Sequence, residues 1–162
     1  MDLEALQNLL DRASQLLPDK VPRIIEVEGL NFIKKNFRDQ AFTDSSKTKW
    51  AKRKKEDERG RDKTRYTTDR VGARGGLTKF GQRELGRAIL VGHNTGGNKL
   101  INSHRARRSR QKVVFYTYKG YGQFHNEGKG HLPKRQFMGK SQYLDNRIAD
   151  KLKREMDKLM RD

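Results

Sequence analysis

The segment from Tyr121 to Gly139 constrains the fold of this chain most, because it joins the clearest strand-like run to the clearest helix-like run. Gly128 and Gly130 permit sharp reversals of the backbone. Pro133 forces the residue before it toward an extended conformation. The sequence therefore predicts a short aromatic turn with a rigid extended exit, which orients the strand and the helix on its two sides.

A strand is predicted over residues 112–119, where β-branched and aromatic residues predominate. Successive side chains of a strand point to opposite faces. One face would carry Val113, Phe115 and Thr117, and the other Val114, Tyr116 and Tyr118. Because both sets contain apolar or aromatic residues, we expect both faces to be covered, by the chain's own helices or by a neighbouring subunit.

Amphipathic helices are predicted at both ends of the chain, where apolar residues recur three or four positions apart. Pro18 is expected to end a first helix, and Pro22 to lie in the first turn of a second that runs to about residue 40. Ser141 is the predicted N-cap of a last helix that ends near Met160. The apolar stripes are interpreted as core faces, with an oligomer contact as the alternative for the N-terminal pair. Gly29 predicts a bend or a close helix contact.

These elements predict an α+β protein in which a small antiparallel sheet is flanked by N-terminal and C-terminal amphipathic helices, with a long basic loop or arm. A length of 162 residues suits one domain. We divide it into N-terminal helices over 1–40, a basic extended arm over 41–84 and an α+β core with the C-terminal helix over 85–162.

Positive charge is concentrated in the middle of the chain. The net charge is +18, of which residues 1–40 contribute −1 and residues 140–162 contribute +2, so +17 falls on 41–139. Such a region is expected to meet nucleic acid or an acidic protein surface, and a solvated loop without a partner is the alternative. The candidate contact residues are Lys52, Arg53, Lys54, Lys55, Arg105, Arg107, Arg108 and Arg110.

Trp50 is the only large apolar residue in 43–65, where it is surrounded by basic residues. A tryptophan in this setting can stack on a base of single-stranded nucleic acid. The interpretation we favour is an anchor into its own domain or a neighbouring subunit.

Several classes of site and location are disfavoured by what the sequence lacks. The absence of cysteine excludes disulfides and thiolate zinc sites. No apolar run approaches the roughly 20 residues of a membrane span, and the N-terminus lacks a basic signal region. We therefore expect a soluble protein made in the cytoplasm, without a membrane partner.

The histidines invite a catalytic interpretation that the surrounding residues do not favour. A nuclease of the His-Asn-His type would use His125, Asn126 and His131, but acidic ligands are scarce, with Glu127 alone between Glu84 and the last helix. We therefore expect structural or surface histidines and no catalytic site, metal or cofactor.

Three blocks in order carry a resemblance to a known family. The blocks contain the residues Thr95, Gly96, Leu100 and Ser103; then Tyr121, Gly122, His125, Glu127 and Gly128; then Pro133, Arg135, Phe137, Gly139 and Ser141, with Trp50 upstream. In this arrangement the chain resembles the phage virion morphogenesis family, which is related to tail-completion, neck and head-tail connector proteins of tailed bacteriophages.

The resemblance implies a non-catalytic α+β subunit of the virion. It would form a homo-oligomeric ring, a hexamer or a dodecamer, at the neck or tail end, and complete the tail so that heads and tails join. The implied partners are further copies of itself, other neck, adaptor or tail-tube proteins, and genomic DNA in the lumen. The alternative is a nucleic-acid-binding protein that acts through its basic middle segment.

Two motif residues have roles that the residue types themselves indicate. Arg135 can set a planar fork against a carboxylate, with Glu127 as the candidate partner. Phe137 is expected to point to one side as an anchor.

Overall fold

The structure, a computed structural model, describes residues 3–52, 66–68, 75–84, 86–92 and 97–161. It divides into two compact units, one of Met1–Trp50 with Leu90–Asp162 and the other of Ala51–Ile89. Five predicted site residues, Arg53, Lys54, Lys55, Thr95 and Gly96, lie outside the described residues.

The predicted α+β class, with long helices at both ends, is confirmed. The helices are α1 (Leu3–Asp39), α2 (Lys79–Glu84), α3 (Tyr121–Glu127) and α4 (Gln142–Arg161). The strands are β1 (Ala41–Thr43), β2 (Lys47–Lys49), β3 (His104–Arg108) and β4 (Val113–Thr117). They form two separate antiparallel pairs, β1 with β2 and β3 with β4. None of the described helices combines the length and apolar character needed to cross a bilayer.

Helix α1 runs through both prolines, so the prediction that Pro18 ends a first helix is wrong. Each proline removes a backbone N–H and disfavours a helix interior. Tertiary contacts offset this effect, because Pro22 is buried and Lys20 forms an ion pair of 3.2 Å with Glu155 of α4. Local helix propensity is a weak influence that packing of this kind overrides.

Helices α1 and α4 lie side by side and antiparallel. The contacts descend along α4 as they ascend along α1: Lys20 meets Glu155, Glu28 meets Arg147 at 3.0 Å, and Phe32 stacks on Tyr143 at 6.3 Å between ring centroids. The apolar stripe predicted for α4 holds through Leu159, which is buried, whereas Met160 is exposed.

Ser141 is the N-cap of α4, as predicted. Its hydroxyl accepts a hydrogen bond from the backbone N–H of Leu144 at 3.1 Å, which satisfies a free donor of the first turn. The same hydroxyl donates to the carbonyl of Thr43 at 2.8 Å, so the cap also ties α4 to β1.

Residues 41–50, which were assigned to the basic arm, instead form the β1–β2 hairpin. Ala41 pairs with Lys49 and Thr43 with Lys47, and the N–H of Asp44 donates to the carbonyl of Ser46 at 2.8 Å in the turn. Strands of three residues show too little alternation for a sequence pattern to reveal them.

The predicted strand at 112–119 is confirmed as β4, and its partner β3 was missed. A short 3-10 turn over Leu100–Asn102 precedes β3, and the arginine-rich segment His104–Arg108 is the strand. Arginine has little strand preference of its own. Pairing with β4 and the turn in which Ser109 N–H donates to the Lys112 carbonyl at 2.8 Å impose the conformation.

The inner face of the β3–β4 hairpin packs on α1. Ala106 and Phe115 are opposite each other on this face, and the Phe115 ring lies where a side chain on Gly29 would otherwise be. A close contact is therefore present at Gly29, but it is made with strand β4, whereas a contact with a helix was predicted.

An aromatic cluster forms the centre of the core. Phe37 is fully buried, and its ring centroid lies 5.3 Å from Trp50, 5.3 Å from His104 and 5.0 Å from Phe137. Edge-on and tilted arrangements of this kind are favourable between aromatic rings. The cluster joins α1, the residue after β2, β3 and the segment before α4, so it holds the first unit together.

The second unit has its own local structure. Thr67 forms a β-bridge with Leu77, and the Tyr66 ring lies 5.4 Å from that of Phe80. Thr78 precedes α2, and its hydroxyl accepts the N–H of Gly81 at 3.0 Å. Helix α2 was not predicted, since six residues are too few to show a helical period.

Candidate functional site

The aromatic segment predicted to be a turn is the short helix α3. Gly128 ends it in the left-handed conformation, with φ of 72°, and its N–H donates to the Phe124 carbonyl at 2.9 Å. Gly122 is buried, and a Cβ placed there would lie 2.8 Å from Cγ2 of Thr117. Gly122 allows α3 to pack closely against Thr117, and Gly128 ends the helix. A cluster of glycines predicts a turn from sequence and does not reveal this packing.

Asn126 fixes the segment that follows α3. Its side-chain oxygen accepts hydrogen bonds from the backbone N–H groups of Phe137 and Met138, each at 2.9 Å. Two donors in a segment without regular secondary structure are thereby satisfied, as buried backbone groups require. This role of Asn126 was not identified from the sequence beyond a general expectation of a contact residue.

Asn36 of α1 also binds the segment before α4, through its side-chain amide. This fully buried side chain donates to the Phe137 carbonyl at 3.3 Å and accepts from the Thr43 N–H at 3.2 Å. Sequence reasoning missed Asn36 because it lies on the helical face that carries Phe32 and Ile33, where an apolar residue is expected.

Trp50 and Phe137 are both anchors. Phe137 is fully buried, as predicted, and Trp50 is 7% exposed. The indole N–H of Trp50 donates to the Gln136 carbonyl at 2.7 Å. Of the two forms of the favoured interpretation, an anchor into its own domain or into a neighbouring subunit, these contacts fit the first, and the buried ring is not presented for base stacking.

The predicted pairing of Arg135 with Glu127 does not form. Glu127 is exposed and pairs with Lys129 at 2.6 Å, which holds the pKa of its carboxyl below the usual range. Arg135 is 5% exposed, and its backbone N–H donates to the His125 carbonyl at 2.7 Å. Lys129 is two residues from Glu127 and exposed like it, so it pairs with this carboxylate more readily than the buried Arg135 does.

Two motif positions have simpler environments. Gly139 has φ of 150°, a region that other residues rarely adopt, and Gln136 occupies the space where its side chain would lie. Pro133 lies in the irregular segment between α3 and α4, and Tyr121 is exposed at the start of α3.

His104 and His125 are interior residues with an unpaired ring nitrogen. Within the described part of the chain, the Nε2 atom of His104 and the Nδ1 atom of His125 are buried without a hydrogen-bond partner. Burial lowers the pKa of both imidazoles, and the positive charge of Arg135 adds to the effect at His125. The neutral form of each ring is therefore favoured in the folded protein.

The residues of the alternative nuclease interpretation are not arranged as a metal site. Among the described residues, no group of three or more His, Cys, Asp or Glu side chains is placed to hold a metal ion. Asn126 is committed to two backbone amides, His125 is partly buried and His131 is exposed. Their contacts are those of structural and surface residues.

The predicted basic contact residues separate into several environments. Arg108 forms an ion pair with Glu26 of α1 at 3.1 Å. Arg110 lies in the exposed turn between β3 and β4, and Lys52 belongs to the second unit. Arg105 and Arg107 project from the side of β3 that faces away from α1.

The side of the hairpin opposite α1 is a mixed basic and aromatic surface, which we call the outer face. Cross-strand pairing places Arg105 opposite Tyr116 and Arg107 opposite Val114. Tyr118 follows β4 and lies beside them, with the Arg105 guanidinium 5.5 Å from its ring centroid. Val114 is 47%, Tyr116 42% and Tyr118 54% exposed. The outer face is thus exposed in the single chain, and cover of this face by a neighbouring subunit stays a prediction.

A groove of about 210 Å³ lies between α1 and α4. Its charged side chains are largely paired, since Arg147 bonds Glu28 at 3.0 Å and Lys35 bonds Asp39 at 2.6 Å. Arg38 also lines the groove, so its lining carries three basic side chains and one acidic side chain.

Comparison with family models, with curated proteins and with solved structures finds no match to this chain. The resemblance to phage morphogenesis proteins rests on the residues named above.

Proposed function

We propose that this chain is a structural subunit of a bacteriophage virion. In this proposal it assembles into a ring at the neck or tail terminus and completes the tail, so that heads and tails join. The basic middle would face an acidic neighbouring virion protein or the DNA that passes through the lumen.

The observation that carries the proposal is the use made of the motif residues. Trp50 and Phe137 build the aromatic core, Ser141 caps α4, and Gly128 ends α3. The residues that carry the resemblance therefore have structural roles, and a subunit of a repeated assembly requires such a fixed shape.

Exposed aromatic residues on α3 give further support. Tyr121 and Phe124 are three residues apart on this helix, and each is 49% exposed. Aromatic side chains that are adjacent and exposed are typical of surfaces covered by another protein. A heterologous contact between subunits closes into a ring when its rotation allows.

The decisive experiment is genetic. Deletion of the gene should leave separate heads and tails by electron microscopy, and infectious virions that lack the protein would refute the proposal. Mass photometry of the purified protein should show closed rings of uniform mass.

A pair of variants links the rings to α3. Phe124→Ser should reduce the ring population, because it removes an exposed aromatic contact. Val27→Ser, at a position 48% exposed on α1, is the control and should leave the rings intact. Equal loss in both variants would show that α3 is not the subunit contact.

A second candidate is a nucleic-acid-binding protein that acts through the basic middle segment. It is favoured by the outer face, where Arg105 and Arg107 are exposed and form no ion pair with any described residue. Its affinity should fall steeply with added salt, because bound cations are released from the phosphates. Negligible binding by the purified protein at low salt would remove it.

A further inference from the structure

We propose that the outer face of the β3–β4 hairpin is a binding site for single-stranded nucleic acid, with bases stacked on Tyr116 and Tyr118 and phosphates held by Arg105 and Arg107. The inference deepens the second candidate function and rests on it, and it does not require a ring.

Charge is the first argument. The chain has no acidic residue from 85 to 126, and this range includes the whole hairpin. Among the described residues, the hairpin's ion pair with an acidic residue is that of Arg108, which reaches Glu26 beside the opposite face. The outer face therefore has a positive potential that its own strands do not neutralise, and it is complementary to a polyanion.

Exposed aromatic rings are the second argument. Tyr116 and Tyr118 are exposed, although the solvent side of a sheet usually carries polar residues. They are two residues apart, or roughly 7 Å in extended backbone. Flat, exposed rings on a sheet surface are platforms on which successive unpaired bases stack.

The arrangement of the two residue types is the third argument. Arg105 is opposite Tyr116, and its guanidinium lies against the ring of Tyr118. Hydrogen bonds of 2.9 and 2.8 Å to the carbonyls of Asn102 and His104 hold that guanidinium in place. The Lys119 ammonium also lies over the Tyr118 ring, 5.3 Å from its centroid. Cations are thus placed at the aromatic surface, and Tyr116 is the more open of the two rings for a stacked base.

This combination favours a single strand over other polyanions. In a duplex the faces of the bases are already stacked, so the tyrosines would gain little. An acidic protein surface would use the arginines and leave the rings without a matching partner. A second copy that met the same face would bring arginines against arginines.

The test is fluorescence anisotropy with the full-length protein and a labelled single-stranded oligodeoxythymidine at low salt. Tyr116→Ala should weaken binding about 5- to 100-fold through the loss of a stacked base. Tyr116→Thr retains strand propensity and should weaken binding similarly, which separates stacking from folding. Wild-type affinity in Tyr116→Thr would overturn the proposal.

The salt dependence distinguishes the arginines from the tyrosines. Arg107→Gln should reduce the slope of log affinity against log salt by about 0.7, the value for one phosphate contact on a single strand. Tyr116→Thr should leave that slope unchanged. Arg154→Gln removes one exposed charge from α4 and is the matched control. An equal effect of Arg154→Gln would show that the charge of the whole protein, not the outer face, binds the strand.

Competitors test the class of ligand. Unlabelled duplex of the same sequence and polyglutamate at equal charge should both compete poorly. Equal competition by the duplex would refute base stacking, and equal competition by polyglutamate would assign the face to an acidic protein. If the wild-type protein binds no oligonucleotide, both this inference and the second candidate function fail. If the wild-type protein binds and all outer-face variants bind with the same affinity, only this inference is refuted. Ring formation is measured separately by mass photometry.

Discussion

Replacing Asn126 by alanine tests how the segment before α4 is held. The side-chain oxygen accepts two backbone N–H groups at 2.9 Å, from Phe137 and Met138. Without it, each donor loses its partner in a half-buried setting, which costs about 1–2 kcal/mol for each group. The expected loss in the free energy of unfolding is therefore about 2–4 kcal/mol, a large fraction of the stability of a small domain.

The assay is urea unfolding followed by circular dichroism, at one protein concentration so that any assembly contributes equally. With an m-value of about 2 kcal/mol per molar urea, the midpoint should fall by about 1–2 M. Asn126→Asp retains an oxygen that accepts both N–H groups and should lie close to the wild type.

Asn146→Ala is the matched control. Its side chain accepts a single bond from Gln142 at 2.9 Å on the exposed side of α4, so the expected change is below about 0.5 kcal/mol. A midpoint for Asn126→Ala no lower than that of Asn146→Ala would refute the role assigned to Asn126.

Other consequences of the packing are measurable by the same unfolding assay. Gly122→Ala should destabilise by about 1–3 kcal/mol, because its Cβ would lie 2.8 Å from Thr117, whereas Gly120→Ala, with open space around it, should not destabilise; equal effects would contradict this packing. The free energy of unfolding should also fall as the pH is lowered from 7 to 5. His104 and His125 have pKa values below their ordinary range in the folded state, so the unfolded chain binds protons first, near pH 6.5, and stability is lost until the folded-state pKa values are passed. His104→Gln should flatten this dependence, His131→Gln at an exposed position should not, and an unchanged slope in His104→Gln would show that its burial does not set the dependence.

Strong local signals in the sequence were sufficient for several elements. The run of β-forming residues at Val113–Thr117 and the stripe from Leu144 to Leu159 each repeat one period long enough to be recognised. The cap at Ser141 and the reversal at Gly128 depend on the residue's own chemistry, and both are present.

Elements whose formation depends on a distant partner were not predicted. Strand β3 consists largely of arginine and forms because β4 pairs with it. Helix α1 continues past Pro18 because its contacts with α4 outweigh two lost backbone bonds. In both cases the deciding contact joins residues far apart in the chain, which a local pattern does not contain.

The outer face of the hairpin was also predictable in part from the sequence and in part only from the structure. The sequence by itself determined that the middle of the chain is strongly basic and that Tyr116 and Tyr118, two residues apart, lie on the same side of the hairpin. Only the tertiary structure decided that α1 covers the other side and that Arg108 turns toward Glu26, while Arg105 and Arg107 remain beside the exposed rings. The physical reason is that net charge and the alternation of side chains along a strand follow from the order of residues in the chain. The exposure of each face depends on tertiary packing, here of Phe115 against Gly29, which removes the inner face from water.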